Sequence, residues 1–596
     1  MARRNPIMTP IVDPRNGDIE DDSSSTKRRS LVSLAGSLLA EISLPKLIIV
    51  WMLLIGFPGL LLGAAPLLVS IWITSVWSKA TIAFAEVWPA LLLLPLAAVG
   101  WLGARPLLRL AESSFWSLNA LAVQPAYIMI REGLRHLADK LISPRLNERQ
   151  RASVRAGTAA GSGLTICGLG LGVLVLAWPA SRWTGTLADL TSPLGLAPVV
   201  LANSIVLISG YFSAAALVWG LADMTMAQPE SFRAFPARPS GGRTWRVAHL
   251  SDIHTVGERY GFRVESGRSG PRGNERFRQA LAQVDEIHAT RKLDLILITG
   301  DLTDAGRSAE WAEFFSALSS YPRLAELVVA LPGNHDLNVV DRASPARLER
   351  PGSPMKRLRQ IRTMSALGAL QGERLRVVAR NAGRLGGVLA DALNPHASDM
   401  IDFANKGSSR LSRSLAGLWA TIFPMVLPPD GDDGLGVIVL NSNAETHFSF
   451  TNALGLVSAE QVRAFEVAAK QYPRARWIVA LHHHVIEYPH PTKELSERIG
   501  TALINGSWFF RRLQRLAGRV VIMHGHRHVD WIGECGKIPI VSAPSPIMEA
   551  SDCGETHFYV HTLAIGSKGE LVLLEPERIV VTGQPTAQEA LGDTSA

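Results

Sequence analysis

Arg246 to His254 reads RVAHLSDIH, an apolar run closed by an aspartate and a histidine two residues apart. Val247, Ala248 and Leu250 have the pattern of a short buried strand. Asp252 and His254 then stand at its carboxyl end, where α/β sheets usually place their chemistry. One D-x-H triplet decides little, because a strand-end turn with a hydrogen-bonded histidine gives the same letters. Four more runs repeat the arrangement. LDLILITGDLTD (Leu293 to Asp304) ends in Asp301 and Asp304 behind Gly300, and LVVALPGNHD (Leu327 to Asp336) ends in Asn334, His335 and Asp336. RWIVALHHH (Arg476 to His484) finishes in three histidines, and VVIMHGHRH (Val520 to His528) delivers His526 and His528. Five strand-like runs thus end in oxygen or imidazole groups, which converge if the strands share a sheet.

The mixture of side chains points to metal chemistry. Imidazole, carboxylate and amide oxygen suit a pair of divalent transition-metal ions such as Mn, Fe or Zn, and a carboxylate between two such ions can bridge them. Ions roughly 3.5 to 4 Å apart can lower the pKa of a shared water, orient a phosphate and neutralise its charge. The chain has only Cys167, Cys535 and Cys553, which excludes a disulfide framework and a cysteine-rich zinc site and suits a reducing compartment.

In this order, D-x-H, G-D-x-x-D, G-N-H-D, a histidine cluster after a strand and G-H-x-H resemble the calcineurin-like metallophosphoesterases, especially their cyclic-nucleotide phosphodiesterase branch. The resemblance runs from about Thr244 to Arg578. It implies a pair of mixed β-sheets flanked by helices, and a centre of two divalent metal ions. Asp252, His254, Asp301 and His528 would hold one ion. Asp301, Asn334, a histidine of the cluster and His526 would hold the other. His335 matches the residue that assists the leaving group, and Asp336 its orienting partner. Family members commonly show His-x-Pro in the fourth block, where this chain has Val485 in place of proline. Alignment to that pattern selects His483 and leaves His482 open. His249 and His524, inside strand-like runs, read as core residues, and Arg527 as pointing away from the metals. Enzymes of the family that act on a lipid A precursor tend to show arginine where this chain has His335, which disfavours that activity.

The rest of the chain is of another kind. With 596 residues it is too long for one core, and its 47% hydrophobic content is concentrated before Met224. Met1 to about Ser30 is polar and charged, and residues 1–43 read as a disordered cytosolic tail. Residues 44–223 hold about four apolar stretches, near 47–77, 82–104, 157–179 and 194–221, each able to cross a bilayer. Residues 224–243 read as a linker, 244–580 as the metallophosphoesterase domain, and 581–596 as a C-terminal tail. The architecture expected is an α-helical membrane region followed by an α/β metallophosphoesterase domain.

Lys and Arg crowd the tail and the loop after the second stretch, and part of the net charge of +8 lies there. By the positive-inside rule both termini face the cytoplasm, as a multi-pass protein of the cell (inner) membrane. Within that loop, FWSLNALAVQPAYIMIREGLRHLADKL reads as an amphipathic helix lying either on the bilayer or on the protein's own spans. Glu86 reads as a span end that reaches water. An Arg-rich insertion at about 340–432 leaves three readings open: a cap that recognises an anionic substrate, a surface resting on anionic lipid, or a helical subdomain with a solvated basic face.

The function expected is a membrane-anchored phosphoesterase acting on phosphate mono- or diesters, cyclic-nucleotide-like or lipid-derived. The alternative is a membrane-bound sensor or scaffold that binds a phosphorylated ligand with little turnover. The expected partners are the lipid bilayer and a phosphorylated small molecule or lipid; a nucleic acid polymer is not among them.

Overall fold

The computed structural model describes residues 10–12, 56–83, 123–141, 147–239, 242–258, 261–263, 270–338, 353–406, 409–446, 451–489, 501–551 and 554–582, with isolated positions besides. Two compact units form: Ser43–Met226, and Ala227–Ala596 together with Met1–Ile42.

The first unit is helical. Helices α1 (Phe57–Ala83), α3 (Glu148–Ala177) and α4 (Pro193–Met224) contain stretches long and apolar enough to cross a membrane. The stretch expected near 82–104, and Glu86 with it, lies almost wholly outside the described residues. Small residues let α3 and α4 approach closely: a Cβ on Gly163 would lie 3.2 Å from the Cα of Gly220. Helix α2 (Gln124–Leu141) takes the second of its two expected readings and packs on its own unit. Tyr127 and Glu132 are buried, the Tyr127 hydroxyl donates to Asp223 at 3.1 Å, and Arg131 pairs with both Asp223 and Glu132. Charges paired with Asp223 of α4 have no need of lipid headgroups.

The second unit is built on two sheets. In the six-stranded sheet, β2 (Thr244–Leu250), β3 (Leu295–Ile298) and β4 (Val328–Ala330) run parallel in that order. On the far side of β2 follow, antiparallel, β13 (Thr556–Ile565) and then β14 (Leu571–Leu573), with β15 (Glu577–Val581) also on β13. In the nine-stranded sheet, β8 (Leu435–Val439), β9 (Arg476–Ala480), β10 (Val520–His524) and β12 (Ile538–Ser542) form a parallel run, beyond which β11 (Trp531–Cys535) and then β1 (Pro229–Ser231), inside the stretch expected to be a linker, add antiparallel. Nearly every residue of β3, β4, β9 and β10 is buried, as their continuous apolar sequences require of strands covered on both faces. Helices α5 (Glu275–Thr290) and α6 (Ser308–Ser319) cover the first sheet through Phe277, Leu281, Trp311 and Phe314, with the Phe277 and Phe314 rings stacked 5.6 Å apart. The result is the two mixed β-sheets flanked by helices that the motifs imply.

The insertion is not the separate helical subdomain of one expected reading. It supplies β5 (Arg376–Ala379), β6 (Arg384–Val388) and β7 (Met425–Leu427), which extend the nine-stranded sheet beyond β8 in the order β7, β5, β6. Its helix α7 (Pro354–Gln371) packs in the core through Ile361, Met364, Leu367 and Leu370. Lys356, Arg357, Arg359 and Arg362 are buried, so this part of the basic segment neither lies on lipid nor forms a solvated face. Sequence shows an amphipathic pattern but not what covers its polar side, and here the protein covers it. Residues 10–12 depart from the expected disordered tail, since Ile11 and Val12 pack against this unit's core.

Candidate metal centre

Parallel register puts the carboxyl ends of β2, β3 and β4 side by side, and those of β9 and β10 likewise. The residues just past these ends have an unusual backbone. Of the non-glycine residues with left-handed φ, five come from the motifs: Asp252 (54°), His254 (48°), Asp301 (50°), His526 (78°) and His528 (53°). Such conformations cost of order 1 to 3 kcal/mol each, and they persist where the surrounding fold aims a side chain. Glycines make room for them. Gly300 has φ of 96°, and a Cβ there would lie 2.5 Å from His482 Nδ1, while a Cβ on Gly333 would strike Asp301 itself.

Three overlapping groups of potential ligand atoms result: Asp252, His254 and His528; His254, Asp301 and His335; and Asp301, His482 and His526. Asp301 Oδ2 lies 3.6 Å from His254 Nε2 and 3.2 Å from His482 Nε2, so one carboxylate faces ligands from both sheets. Asp252 Oδ1 lies 3.4 Å from His528 Nε2. His482 Nε2 is also 3.1 Å from Asn334 Oδ1 and 3.0 Å from His526 Nδ1.

The donor set fits divalent cations. Nearly all these groups are buried, and His526 Nε2 has no hydrogen-bond partner among the described residues, while His528 Nδ1 lies 3.5 Å from Glu549 Oε1. Buried imidazole nitrogens facing each other and two carboxylates form a poor set without a cation and a good one around it. Burial alone would raise the Asp301 carboxyl, yet His482 and His335 hold it well below the ordinary carboxylate range. Burial opposes charge on His482, but Asp301 and Asp252 push its pKa up to about 9. The clustered His and Asp residues thus suit a dinuclear divalent-metal site.

Two residues stand apart from their expected places. His483 is buried beside the cluster, but its Nδ1 meets Ser442 Oγ at 2.9 Å, and it belongs to none of the three groups. The imidazole from the fourth block that reaches Asp301 and Asn334 is His482, held by Thr299 O at 2.8 Å from Nδ1. Asp336 does not meet the His335 ring. Its carboxylate accepts from Thr303 N, Thr303 Oγ1, Leu302 N and Gly333 N, tying two motif loops together. The group the His335 ring meets is the carbonyl of Asp304, 2.6 Å from Nδ1, and the Asp304 carboxylate lies 3.3 Å from His254 Nδ1. Asp304 ends the second block, and the two-residue gap from Asp301 is its only sequence signal.

Other residues lie where their neighbours in sequence suggest. His249 Nε2 meets Thr299 Oγ1 at 3.0 Å in the core, and burial pushes the His524 pKa down to about 3. Arg527 turns from the cluster to Glu487, with contacts of 2.8 and 3.1 Å.

Fold and donors together define a metal-dependent phosphoesterase domain. Residues 246–400 match the family model for calcineurin-like phosphoesterase, so the chain carries a calcineurin-like metallophosphoesterase domain joined to helices of membrane-spanning length. No curated protein matches the chain in sequence. Among solved structures it is similar to a Staphylococcus aureus protein assigned as a 5′-nucleotidase, crystallised with alpha-ketoglutarate. Identity is 14% and the TM-score 0.29, over 58% of this chain and 55% of that one. The chain thus spans little more than half the length of that protein.

Proposed function

We propose that this protein is a membrane-anchored hydrolase of phosphate esters, most suited to small phosphodiesters such as cyclic nucleotides, with its catalytic unit on the cytoplasmic face. The observation that carries the reading is Asp301, one carboxylate within 3.6 Å of His254 on one side and 3.2 Å of His482 on the other. In this reading Asp252, His254, Asp301 and His528 hold one divalent ion, and Asp301, Asn334, His482 and His526 hold the other. The bound ions would supply Lewis acidity toward the phosphate and an activated water.

The protein's own part is orientation and proton handling. A carbonyl only accepts, so the contact with Asp304 O assigns the Nδ1 proton of His335 and leaves Nε2 free to turn to a ligand. Burial holds the His335 pKa low in the free protein. An entering phosphate anion favours the charged imidazole, letting Nε2 take up a proton and pass it to the departing alkoxide. The Lys and Arg excess of the tail and the loop before α3 supports the cytoplasmic placement.

The test is turnover by the full chain in detergent or nanodiscs with Mn added, on an activated phosphodiester and an activated phosphomonoester. Metal-dependent release of nitrophenolate, faster from the diester, is the expected result. Absence of metal-dependent turnover on either substrate contradicts it.

A further inference from the structure

Helix α7 is buried on sides that its sequence would leave in water. Besides its apolar residues, Lys356, Arg357, Arg359, Gln360, Arg362, Thr363, Ser365 and Gln371 are all buried. A helix with this much charge normally keeps a polar face solvated, so its polar face here is covered. Part of the cover lies nearby: Lys356 Nζ donates to Thr446 O at 3.0 Å, Arg359 to Asn338 O at 2.7 Å, and Gln371 to Ala330 O at 2.9 Å. Over Ser365 the cover comes from the other end of the chain. Val12 N donates to Ser365 Oγ at 3.0 Å across 353 positions, and Ile11 and Val12 pack against the same hydrophobic core.

The segment suits this placement. Ile11 and Val12 stand between Pro10 and Pro14 in the stretch TPIVDP. Prolines narrow the conformations open to the free chain, so less entropy is lost when it lies down. Ser365 is 1% exposed, and a hydroxyl so placed needs a partner.

We propose that residues 10–12 are a docking segment whose receptor is the Ser365 face of α7, which fixes the N-terminal tail and the catalytic unit on the same side of the membrane. Connectivity then sets the topology. A segment seated on a folded unit cannot lie across the bilayer from it, so the chain crosses an even number of times between Val12 and Ala227. This rests neither on the charge count nor on the phosphoesterase reading. Three described helices have spanning length, so an even total needs one further crossing, or one of the three that does not cross.

The test uses the full chain in native membranes, with its three cysteines replaced and Val12→Cys and Ser365→Cys introduced. A protease site inserted after Pro236, past Phe232 and Phe235, which pack against the core, allows the two parts to be separated after oxidation. The expected result is one band without reductant and two with it. Fragments that separate without reductant, or a cross-link formed only between two copies, overturn the docking. Side-sharing is read independently of the disulfide from single variants, Asn5→Cys and Arg515→Cys, labelled in sealed vesicles with an impermeant thiol reagent. Both positions labelled from one side is expected, and labelling from opposite sides overturns the proposal.

Discussion

Asp301 and His335 sit 34 positions apart and touch, the backbone N–H of His335 donating to Asp301 Oδ1 at 2.9 Å, yet their proposed tasks differ. Asp301→Asn should lower both bound metal and turnover, because it removes the charge that faces ligands on both sides. His335→Ala should leave metal content near normal while turnover falls by roughly 10² to 10⁴, with a smaller fall for a nitrophenolate leaving group. Metal analysis beside kinetics on good and poor leaving groups separates the two; equal metal loss in both variants would remove the proton-handling role. The fourth block offers a sharper comparison. His482→Ala should lose metal, whereas His483→Ala should keep it, since His483 Nδ1 is engaged with Ser442. Sequence left this choice open for a plain reason. Adjacent residues past a strand end point in different directions, and a register error of one exchanges them. Val485 removes the proline that would have fixed the alignment. Asp336 differs from its expected role for a similar reason: the block G-N-H-D puts a carboxylate next to the histidine in sequence, while the turn Asn334–Leu337 sends it to the backbone of Leu302, Thr303 and Gly333.

At the scale of elements, the five strand ends were legible because an apolar run stopped by Asp, Asn or His is a local signal. What lay between them was less so. The insertion's strands β5, β6 and β7 are short, and their partners lie on the edge of a sheet that no nearby sequence identifies. The role of α7 was hidden for the same reason, since amphipathicity reports one buried face and not the cover of the other. This helix reaches the candidate site: Thr363 Oγ1 donates to Asp336 O at 3.3 Å, and Arg359 to Asn338 O at 2.7 Å, gripping the end of the turn that carries Asn334 and His335. Asp304 supports the other side through His254. Asp304→Ala should weaken metal affinity by roughly 10 to 100-fold, the usual cost of losing a partner that orients a ligand, as read by competition with a chelator. Affinity equal to that of the parent would show that His254 is oriented without it.

For the whole molecule, the division into a helical membrane unit and an α/β unit was legible from composition, because bilayer-length apolar runs have few soluble explanations. The buried histidines give the second unit a predictable response to acid. His561 is buried on β13, neither ring nitrogen has a hydrogen-bond partner among the described residues, and burial pushes its pKa down to about 3. The unfolded chain, near 6.5, binds this proton first. The stability this group contributes is therefore complete above about pH 6.5 and declines as pH falls toward 3, with a slope of at most about 1.4 kcal/mol per pH unit. His561→Leu should shift acid unfolding, followed by tryptophan fluorescence of the full chain, to lower pH; an unchanged midpoint would mean that the ring is satisfied by buried water. Dependence of phosphoesterase activity on two divalent ions, which would share Asp301 as a ligand, is tested by a metal titration. Divalent Mn is added back to the chelator-stripped full chain while phosphodiester hydrolysis is read. No turnover is expected before metal, then a rise that completes near two equivalents per chain, and no comparable rise in Asp301→Asn. Turnover that saturates at one equivalent, or that Asp301→Asn reproduces, would contradict it.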